Sequence, residues 1–168
     1  ENQAPDDGGT PGGALTLTEG RDVLTGTGND DSFIGLVGQN QDGAISNAFA
    51  TGDYVDGGAG RDKIEVSVME DQEVENGADS AINGRTDNVE EVYFEALDLN
   101  GGSSGDGLNS GDTVDVDAGR MDSVEQFWSD NSSADFFIDD VRLGSKLNVT
   151  KDVTFGMRDV DTDSSLTA

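Results

Sequence analysis

The sequence predicts an all-β protein, and three observations lead to this fold class. The apolar residues occur in short runs with the two-residue alternation of β-strands. The 24 glycines, against two prolines, indicate many tight turns between these runs. No long stretch has the 3.6-residue apolar period of an amphipathic helix. Two architectures remain open: β-roll or β-solenoid turns that merge into short strands, or an antiparallel β-sandwich.

The N-terminal segment, residues 1–13, is predicted to be an extended tail or linker that docks on a neighbouring chain. It contains both prolines and four glycines, and it has no large apolar residue. Residues 14–168 have the length of an ordinary domain, and we expect them to form a single all-β domain.

Strands and loops alternate through the first half of this domain. Residues 15–18 alternate Leu and Thr and predict the first strand, and residues 63–68 predict another by a similar pattern. Between them, residues 35–52 are rich in Gly, Asn and Gln and predict an insertion. Its few apolar anchors are Ile45, Ala48 and Phe49. Residues 70–88 are polar and acidic, and we expect a surface loop there.

The second half is predicted to contain more short strands. Residues 89–99 form an apolar run, and in residues 113–117 valines alternate with aspartates, which places the valines on one face of a strand. The spacing of Val124, Phe127 and Trp128 allows a short helical turn around residues 121–128. Further short β segments are predicted at residues 136–138, 141–143, 147–149 and 153–157.

A glycine-and-aspartate motif occurs twice in the first half. Residues 22–33 and 53–64 both read D-x-U-x-G-x-x-x-x-D-x-U, where U is a large apolar residue. The two copies are offset by 31 residues, and within each copy the aspartates lie nine residues apart. A single turn of this kind often occurs without a metal, whereas two copies with the same internal spacing indicate that both turns have the same function.

This motif predicts calcium binding. Ca²⁺ takes six to eight oxygen ligands in irregular geometry. Glycine lets a turn direct its carbonyls inward, and the following aspartate adds a carboxylate. The net charge of −27 also favours bound cations, because the negatively charged side chains repel one another in a compact chain. A halophilic surface would explain the same charge. The predicted ligands are the carboxylates of Asp22, Asp30, Asp31, Asp53, Asp56 and Asp62 and the carbonyls of Gly26, Gly28, Gly57 and Gly60.

Weaker candidates for metal sites lie further along the chain. A degenerate glycine-rich turn at residues 101–108 contributes Asp106, and Asp112 follows it. The C-terminal segment begins like an EF-hand loop but has Ser164 in place of the glycine and ends before the final glutamate, so it offers only a partial site. Its acids are Asp159, Asp161 and Asp163. Asp130, Asp139 and Asp140 are candidates for another site.

Residues 57–65, G-G-A-G-R-D-K-I-E, resemble the calcium-binding nonapeptide of RTX proteins, G-G-x-G-x-D-x-U-x, at every fixed position. The first copy departs from it, with Thr27 and Asn29 in place of two glycines. Residues 15–100 as a whole are similar to the calcium-binding β-strand-repeat modules of large bacterial surface proteins, such as S-layer-like proteins, giant adhesins and phage structural proteins. The resemblance implies a structural or adhesive role for calcium at the cell or virion surface. RTX proteins carry long tandem arrays, whereas this chain has two separated copies.

Composition argues against several function classes. The absence of cysteine and histidine excludes disulfides, most zinc sites and the commonest general base. With nine basic residues against 36 acidic ones, a nucleic-acid partner is not expected. No segment is apolar enough to span a membrane. Trp128 and its aromatic neighbours Phe127, Phe136 and Phe137 are expected in the core rather than in a sugar-stacking platform. We therefore do not expect an enzyme.

The predicted function is that of a calcium-stabilised extracellular structural module, which self-associates in a surface layer, filament or virion. Its expected partners are copies of itself or neighbouring modules. The alternative is a calcium-dependent adhesin domain that binds a glycan or peptide.

Overall fold

A computed structural model describes residues 10–39, 45–69, 81–97, 113–141, 153–160 and 166–167. These residues form β-strands, turns and bends, with no helix among them. Accordingly, this part of the chain contains no helix long and apolar enough to cross a membrane. The strands are β1 Pro11–Thr16, β2 Val23–Thr25, β3 Asp30–Gly35, β4 Gly38–Gln39, β5 Ile45–Ser46, β6 Tyr54–Asp56, β7 Lys63–Met69, β8 Arg85–Asp87, β9 Glu91–Leu97, β10 Thr113–Asp117, β11 Gln126–Asp130, β12 Asp135–Asp139, β13 Thr154–Arg158 and β14 Leu166–Thr167.

Parallel sheets dominate the fold. The main sheet has six strands in the order β1-β3-β7-β9-β11-β13, and all its pairs are parallel. The second sheet, β2-β6-β8, and the third sheet, β10-β12-β14, are also parallel. Among the described strands, only β4 and β5 pair antiparallel. The antiparallel sandwich is therefore not the arrangement of these sheets, and both halves of the chain share the parallel one.

The chain alternates between the main sheet and the other two. A strand of the second or third sheet is followed along the chain by the next strand of the main sheet. This holds for β2, β6, β8, β10 and β12. Parallel pairing then places corresponding residues side by side, so the 31-residue offset of the sequence motif becomes a strand register, as in Val23 against Tyr54. One row of aligned residues, here called the inner row, crosses the whole main sheet; it consists of Leu15, Phe33, Ile64, Val92, Phe127 and Phe155.

The core lies on the inner-row side of the main sheet. Phe33, Ile64 and Val92 are fully buried, and they belong to one apolar cluster that includes residues of the second and third sheets. Phe94 joins the sheets, because its ring centroid lies 5.0 Å from that of Phe136 in β12. A second contact, 6.3 Å between centroids, ties Phe94 to Phe49 of the predicted insertion.

Several local predictions are confirmed. Ala48 and Phe49 anchor the insertion in the core, with exposed fractions of 2% and 0%. In β10, Val114 and Val116 are buried while the aspartates between them are partly exposed. Ile45, the third predicted anchor, is 47% exposed, so that prediction is wrong. It lies in β5, whose short pairing with β4 turns it away from the core.

Other expectations are corrected by strand pairing. β1 begins at Pro11, which pairs with Asp30, so the end of the predicted tail belongs to the main sheet. Residues 1–9 lie outside the described part. The predicted surface loop contains β8, in which Thr86 is fully buried. Around residues 121–128 the chain forms a β-bridge at Met121 and then β11, not a helical turn.

The aromatic residues of the second half divide between two faces. Phe127 and Phe136 are buried in the core as predicted, each 1% exposed. Trp128, by contrast, is partly exposed on the outer face of the main sheet, where its ring stacks on Tyr93 at 6.1 Å. Strand alternation explains the difference, since neighbouring residues of β11 face opposite sides. The predicted segments at residues 142–143 and 147–149 lie outside the described part.

Candidate metal centre

The two motif copies lie side by side and are linked through their aspartates. The backbone N–H of Asp22 donates to Oδ1 of Asp53 at 2.8 Å, and the N–H of Asp31 donates to Oδ1 of Asp62 at 2.7 Å. Asp31, Asp53 and Asp62 are all buried, with exposed fractions of 1%, 3% and 0%. Asp53 and Asp62 of the second copy therefore each accept a hydrogen bond from the backbone of the first copy, 31 residues earlier in the chain.

Two glycines each leave room for a pair of oxygens. A Cβ at Gly26 would lie 2.1 Å from the carbonyl oxygen of Gly57 and 2.8 Å from Oδ2 of Asp31. A Cβ at Gly57 would lie 1.9 Å from the carbonyl oxygen of Asn88 and 2.5 Å from Oδ2 of Asp62. We call these the first and second oxygen pockets. Each pocket combines a carbonyl with a buried carboxylate, so the same two kinds of oxygen recur in the two successive turns.

The first oxygen pocket is already satisfied by hydrogen bonds. Oδ2 of Asp31 accepts from the N–H of Thr27 at 2.5 Å and from its hydroxyl at 2.8 Å. Oδ1 accepts from the N–H of Gly13 at 2.5 Å. Burial raises the pKa of Asp31, but these hydrogen bonds outweigh it and leave the pKa below its ordinary value. Thr27, where the nonapeptide has glycine, thus supplies a donor in place of a cation.

The second oxygen pocket contains an unsatisfied carboxylate. Asp62 is fully buried, and its Oδ2 has no hydrogen-bond donor in the described structure. Burial raises the pKa of Asp62 to about 6, and the charges of Glu90, Asp31 and Asp30 act in the same direction. A buried acceptor without a partner costs roughly 1–3 kcal/mol. A divalent cation that prefers oxygen ligands would supply the missing partner, so these residues fit calcium.

Further acids surround the second pocket and are held by turn amides. Oδ1 of Asp56 accepts from the N–H of Gly58 at 3.1 Å and from Nδ2 of Asn88 at 2.8 Å. Oε2 of Glu90 accepts from the N–H of Asp62 at 2.8 Å. Glu90 and Asn88 were not predicted as ligands, because neither belongs to a motif copy; the parallel pairing of β6 with β8 brings them to the turn.

The glycines of the second copy have backbone roles that the first copy lacks. Gly58 and Gly60 adopt φ values of +95° and +135°, which disfavour any side chain. Thr27 and Asn29 stand at the corresponding positions of the first copy, and neither has positive φ. The replacement of two glycines by Thr27 and Asn29 therefore coincides with a turn that has no positive φ at these two positions. Gly28 has open space around its Cβ position and shows no such requirement.

Asp22 and Asp53 form a separate pair. Asp22 accepts from the N–H of Thr18 at 2.6 Å, and Oδ2 of Asp53 accepts from the N–H of Ala50 at 2.7 Å. Burial raises the pKa of Asp53, against the hydrogen bonds that lower it. These two aspartates precede β2 and β6, whereas Asp31 and Asp62 follow those strands. These four motif aspartates are thus divided between the turns before β2 and β6 and the turns after them, and Asp22 and Asp53 cap the chain as it enters each strand.

A second acidic group lies on the third sheet. Oxygens of Asp117, Asp139 and Asp140 lie within 4.8 Å of one another, the one group of three such side chains in the described part of the chain. The register of β10 on β12 pairs Asp117 with Asp139. Burial, with the charges of Asp140 and Asp117, raises the pKa of Asp139. Asn83 and the N–H of Gly119 donate to Asp117.

Three other predicted ligands lie in the described part of the chain, each in a different setting. Asp130 instead pairs with Arg158, whose Nε donates to it at 2.8 Å. Oδ1 of Asp30 accepts from the N–H of Arg61 at 2.8 Å. Asp159 follows β13 in a left-handed conformation, with φ of 51°. Four predicted ligands lie outside the described residues: Asp106, Asp112, Asp161 and Asp163.

Comparison of the chain with protein-family models, with curated protein sequences and with solved structures found no significant match. Its function must therefore be inferred from its own residues.

Proposed function

We propose that this chain is a calcium-stabilised structural module of an extracellular or virion assembly. Its coils would stack as an RTX-like β-roll, with calcium held in the turns between the sheets. The observation that carries the proposal is the fully buried carboxylate of Asp62, whose Oδ2 has no hydrogen-bond donor among the residues that the structure describes. It lies in the motif copy that matches the calcium-binding nonapeptide at every fixed position.

The chemistry of the second oxygen pocket favours calcium over other cations. Its donors are oxygens, a carboxylate from Asp62 and a carbonyl from Asn88, with Asp56 and Glu90 close by. Without cysteine or histidine, the chain cannot build the nitrogen and sulfur sites that transition metals prefer. Ca²⁺ accepts irregular oxygen cages more readily than Mg²⁺, which demands near-octahedral geometry.

A structural role follows from where the pocket lies. It joins two successive turns, because Gly57 and Asp62 lie in the turn between β6 and β7 and Asn88 lies in the turn between β8 and β9. A cation there would fix the register of neighbouring coils and would offset part of the net charge of −27. Folding and calcium binding should consequently be linked. We propose no catalytic role for this pocket.

The proposal can be tested by following melting and light scattering of the purified chain during a calcium titration. Calcium should raise the melting temperature, magnesium at equal concentration should raise it less, and scattering should increase as copies associate. An unchanged melting curve between excess chelator and millimolar calcium would contradict the proposed function.

A second candidate, the adhesin domain that binds a glycan or peptide, is favoured by one feature. The outer face of the main sheet has a cleft of about 200 Å³. Its lining combines the aromatic side chain of Tyr93 and the apolar side chains of Ile34 and Leu36 with the carboxylates of Glu65 and Glu95. Such a module would stay monomeric in calcium and capture a ligand, so the same scattering experiment separates the two candidates.

A further inference from the structure

Within the described part of the chain, no strand lies beyond β13 to cover the core at this edge of the main sheet. Phe155 and Met157 face the same side as the inner row and are 39% and 40% exposed. Their register partners one strand inward, Phe127 and Ser129, are 1% and 0% exposed. Phe155 stacks on Phe127 at 5.8 Å on one side. The inner row thus ends with large apolar side chains that are covered on one side only.

The opposite edge of the same sheet begins that row. Leu15 of β1 aligns with Phe33 and packs partly buried against the core. In the described chain, β1 and β13 are the two edge strands of the main sheet. A further strand paired with β13 in the same register would place its own inner-row residue beside Phe155. If that strand is β1 of another copy, this residue is Leu15.

The hydrogen bonding of the two edges is complementary. In a parallel sheet each strand bonds one neighbour through alternate residues and the other neighbour through the residues between them. The backbone N–H and C=O groups on the outer edge of β13 can therefore pair with those on the outer edge of β1 from another copy, with both strands running in the same direction. An edge of this kind is a template for another chain unless it is protected.

Among the described residues, the protection of these edges is confined to the start of β1, where Pro11 lies and the register with β3 is irregular up to Ala14; residues 14–16 pair regularly. The end strands are β1 and β2 at one end and β13 and β14 at the other, since β8 continues towards the third sheet through the bridge from Thr86 to Met121. These four strands contain one charged residue, Arg158, although 27% of the chain is charged. Arg158 is already paired with Asp130. The paired strands of a contact between these ends would therefore bring no like charges together.

We propose that copies of this chain associate end to end, with β13 of one copy paired in parallel to β1 of the next and Leu15 seated on Phe155. The contact is heterologous, and repetition of it builds an open filament. This inference rests on the proposed function, because it specifies which surface carries the self-association.

Paired cysteines test the register directly, because the chain has no cysteine of its own. Ala14 and Thr154 occupy one row of the outer face, aligned through Ser32, Lys63, Glu91 and Gln126. Within one copy they are roughly 24 Å apart, at about 4.8 Å per strand spacing, so they cannot form an internal disulfide. Across the proposed contact they would be neighbours within disulfide reach.

The double variant A14C/T154C, oxidised in calcium, should give a ladder of covalent oligomers on a non-reducing gel. Each single variant should stop at dimers. The matched control V23C/T154C places one cysteine at the exposed Val23 of β2, away from the β1 edge, and should give no ladder.

An edge-blocking substitution provides a second readout. Phe155→Lys introduces an inward charge at the edge and should raise the concentration needed for association at least about tenfold. Ile45→Lys, at a residue 47% exposed in the β4–β5 pair outside the main sheet, should leave association unchanged. Melting curves of both variants verify that they fold.

The outcomes separate the two proposals. If calcium raises the melting temperature and scattering while A14C/T154C cross-links no better than V23C/T154C, the copies meet elsewhere and the end-to-end contact is wrong. If the chain stays monomeric, with both edges covered by other residues of its own, the contact is wrong as well. If calcium changes neither melting nor scattering, the proposed function itself fails. A ladder specific to A14C/T154C, lost in the Phe155→Lys background, supports the contact.

Discussion

Replacing Asp62 by asparagine should stabilise the calcium-free protein at pH 7 and remove the calcium response of the second oxygen pocket. Asparagine keeps an oxygen that can accept from the N–H of Asp31. Its amide nitrogen would take the place of Oδ2, where the carbonyl of Asn88 is an available acceptor beside Gly57. The substitution thus removes a buried charge and supplies a donor at the point where the wild-type carboxylate has none.

The sign and size of the effect follow from the pKa of Asp62, which burial raises from 3.8 to about 6. Because the folded-state pKa lies above the unfolded one, the ionised carboxylate disfavours folding. We expect asparagine to recover roughly 1–3 kcal/mol in chelator, the cost of an unsatisfied buried group. For a chain of this size, about 1 kcal/mol corresponds to about 2–4 °C in melting temperature.

Calcium should reverse the order of the two proteins. At a calcium concentration about 100 times the dissociation constant, one site stabilises the wild type by about 2.7 kcal/mol. D62N should gain nothing from this pocket. The assay is thermal melting of both proteins in chelator and in calcium, with D122N as the control, since Asp122 is an exposed aspartate outside both pockets. A D62N protein that is less stable than wild type in chelator, or that keeps the full calcium response, would refute the reasoning.

Four further predictions follow from the same structure. In chelator, the contribution of Asp62 to stability should be largest below about pH 4 and should be lost as the pH rises through about 6, which urea unfolding at several pH values can measure. G57A should lose the calcium-dependent rise in melting temperature, because its Cβ would occupy the second pocket; G28A, with no atom within 4 Å of the Cβ position, should retain it. S123G should stabilise the protein by about 0.5–1 kcal/mol in chemical denaturation, since Ser123 has φ of 80°, and a destabilised variant would contradict this. F94A should cost about 3–5 kcal/mol, because this fully buried ring joins the main and third sheets; a loss below about 1 kcal/mol would show that the contact matters little.

The sequence alone determined the features that depend on local chemistry. Alternation of apolar residues is set by the two-residue period of a strand, so the valines of β10 and the strand at β7 could be predicted. The need for glycine at positions 58 and 60 is also a local property, because a turn residue with positive φ disfavours a side chain in any fold. The regular spacing of the two motif copies also indicated that their aspartates act in pairs.

Only the tertiary structure decided which residues meet. A parallel and an antiparallel sheet have the same alternation, so the pairing of β6 with β8, and with it the arrival of Asn88 and Glu90 at the second pocket, is not encoded in any one segment. The same is true of Asp117 beside Asp139, which depends on the register of β10 on β12. Strand pairing connects residues about 30 positions apart, and its energy comes from the core that forms between the sheets. Local patterns can therefore indicate the aspartates of a turn, but strand pairing decides which carboxylate oxygen has no hydrogen-bond donor among the described residues.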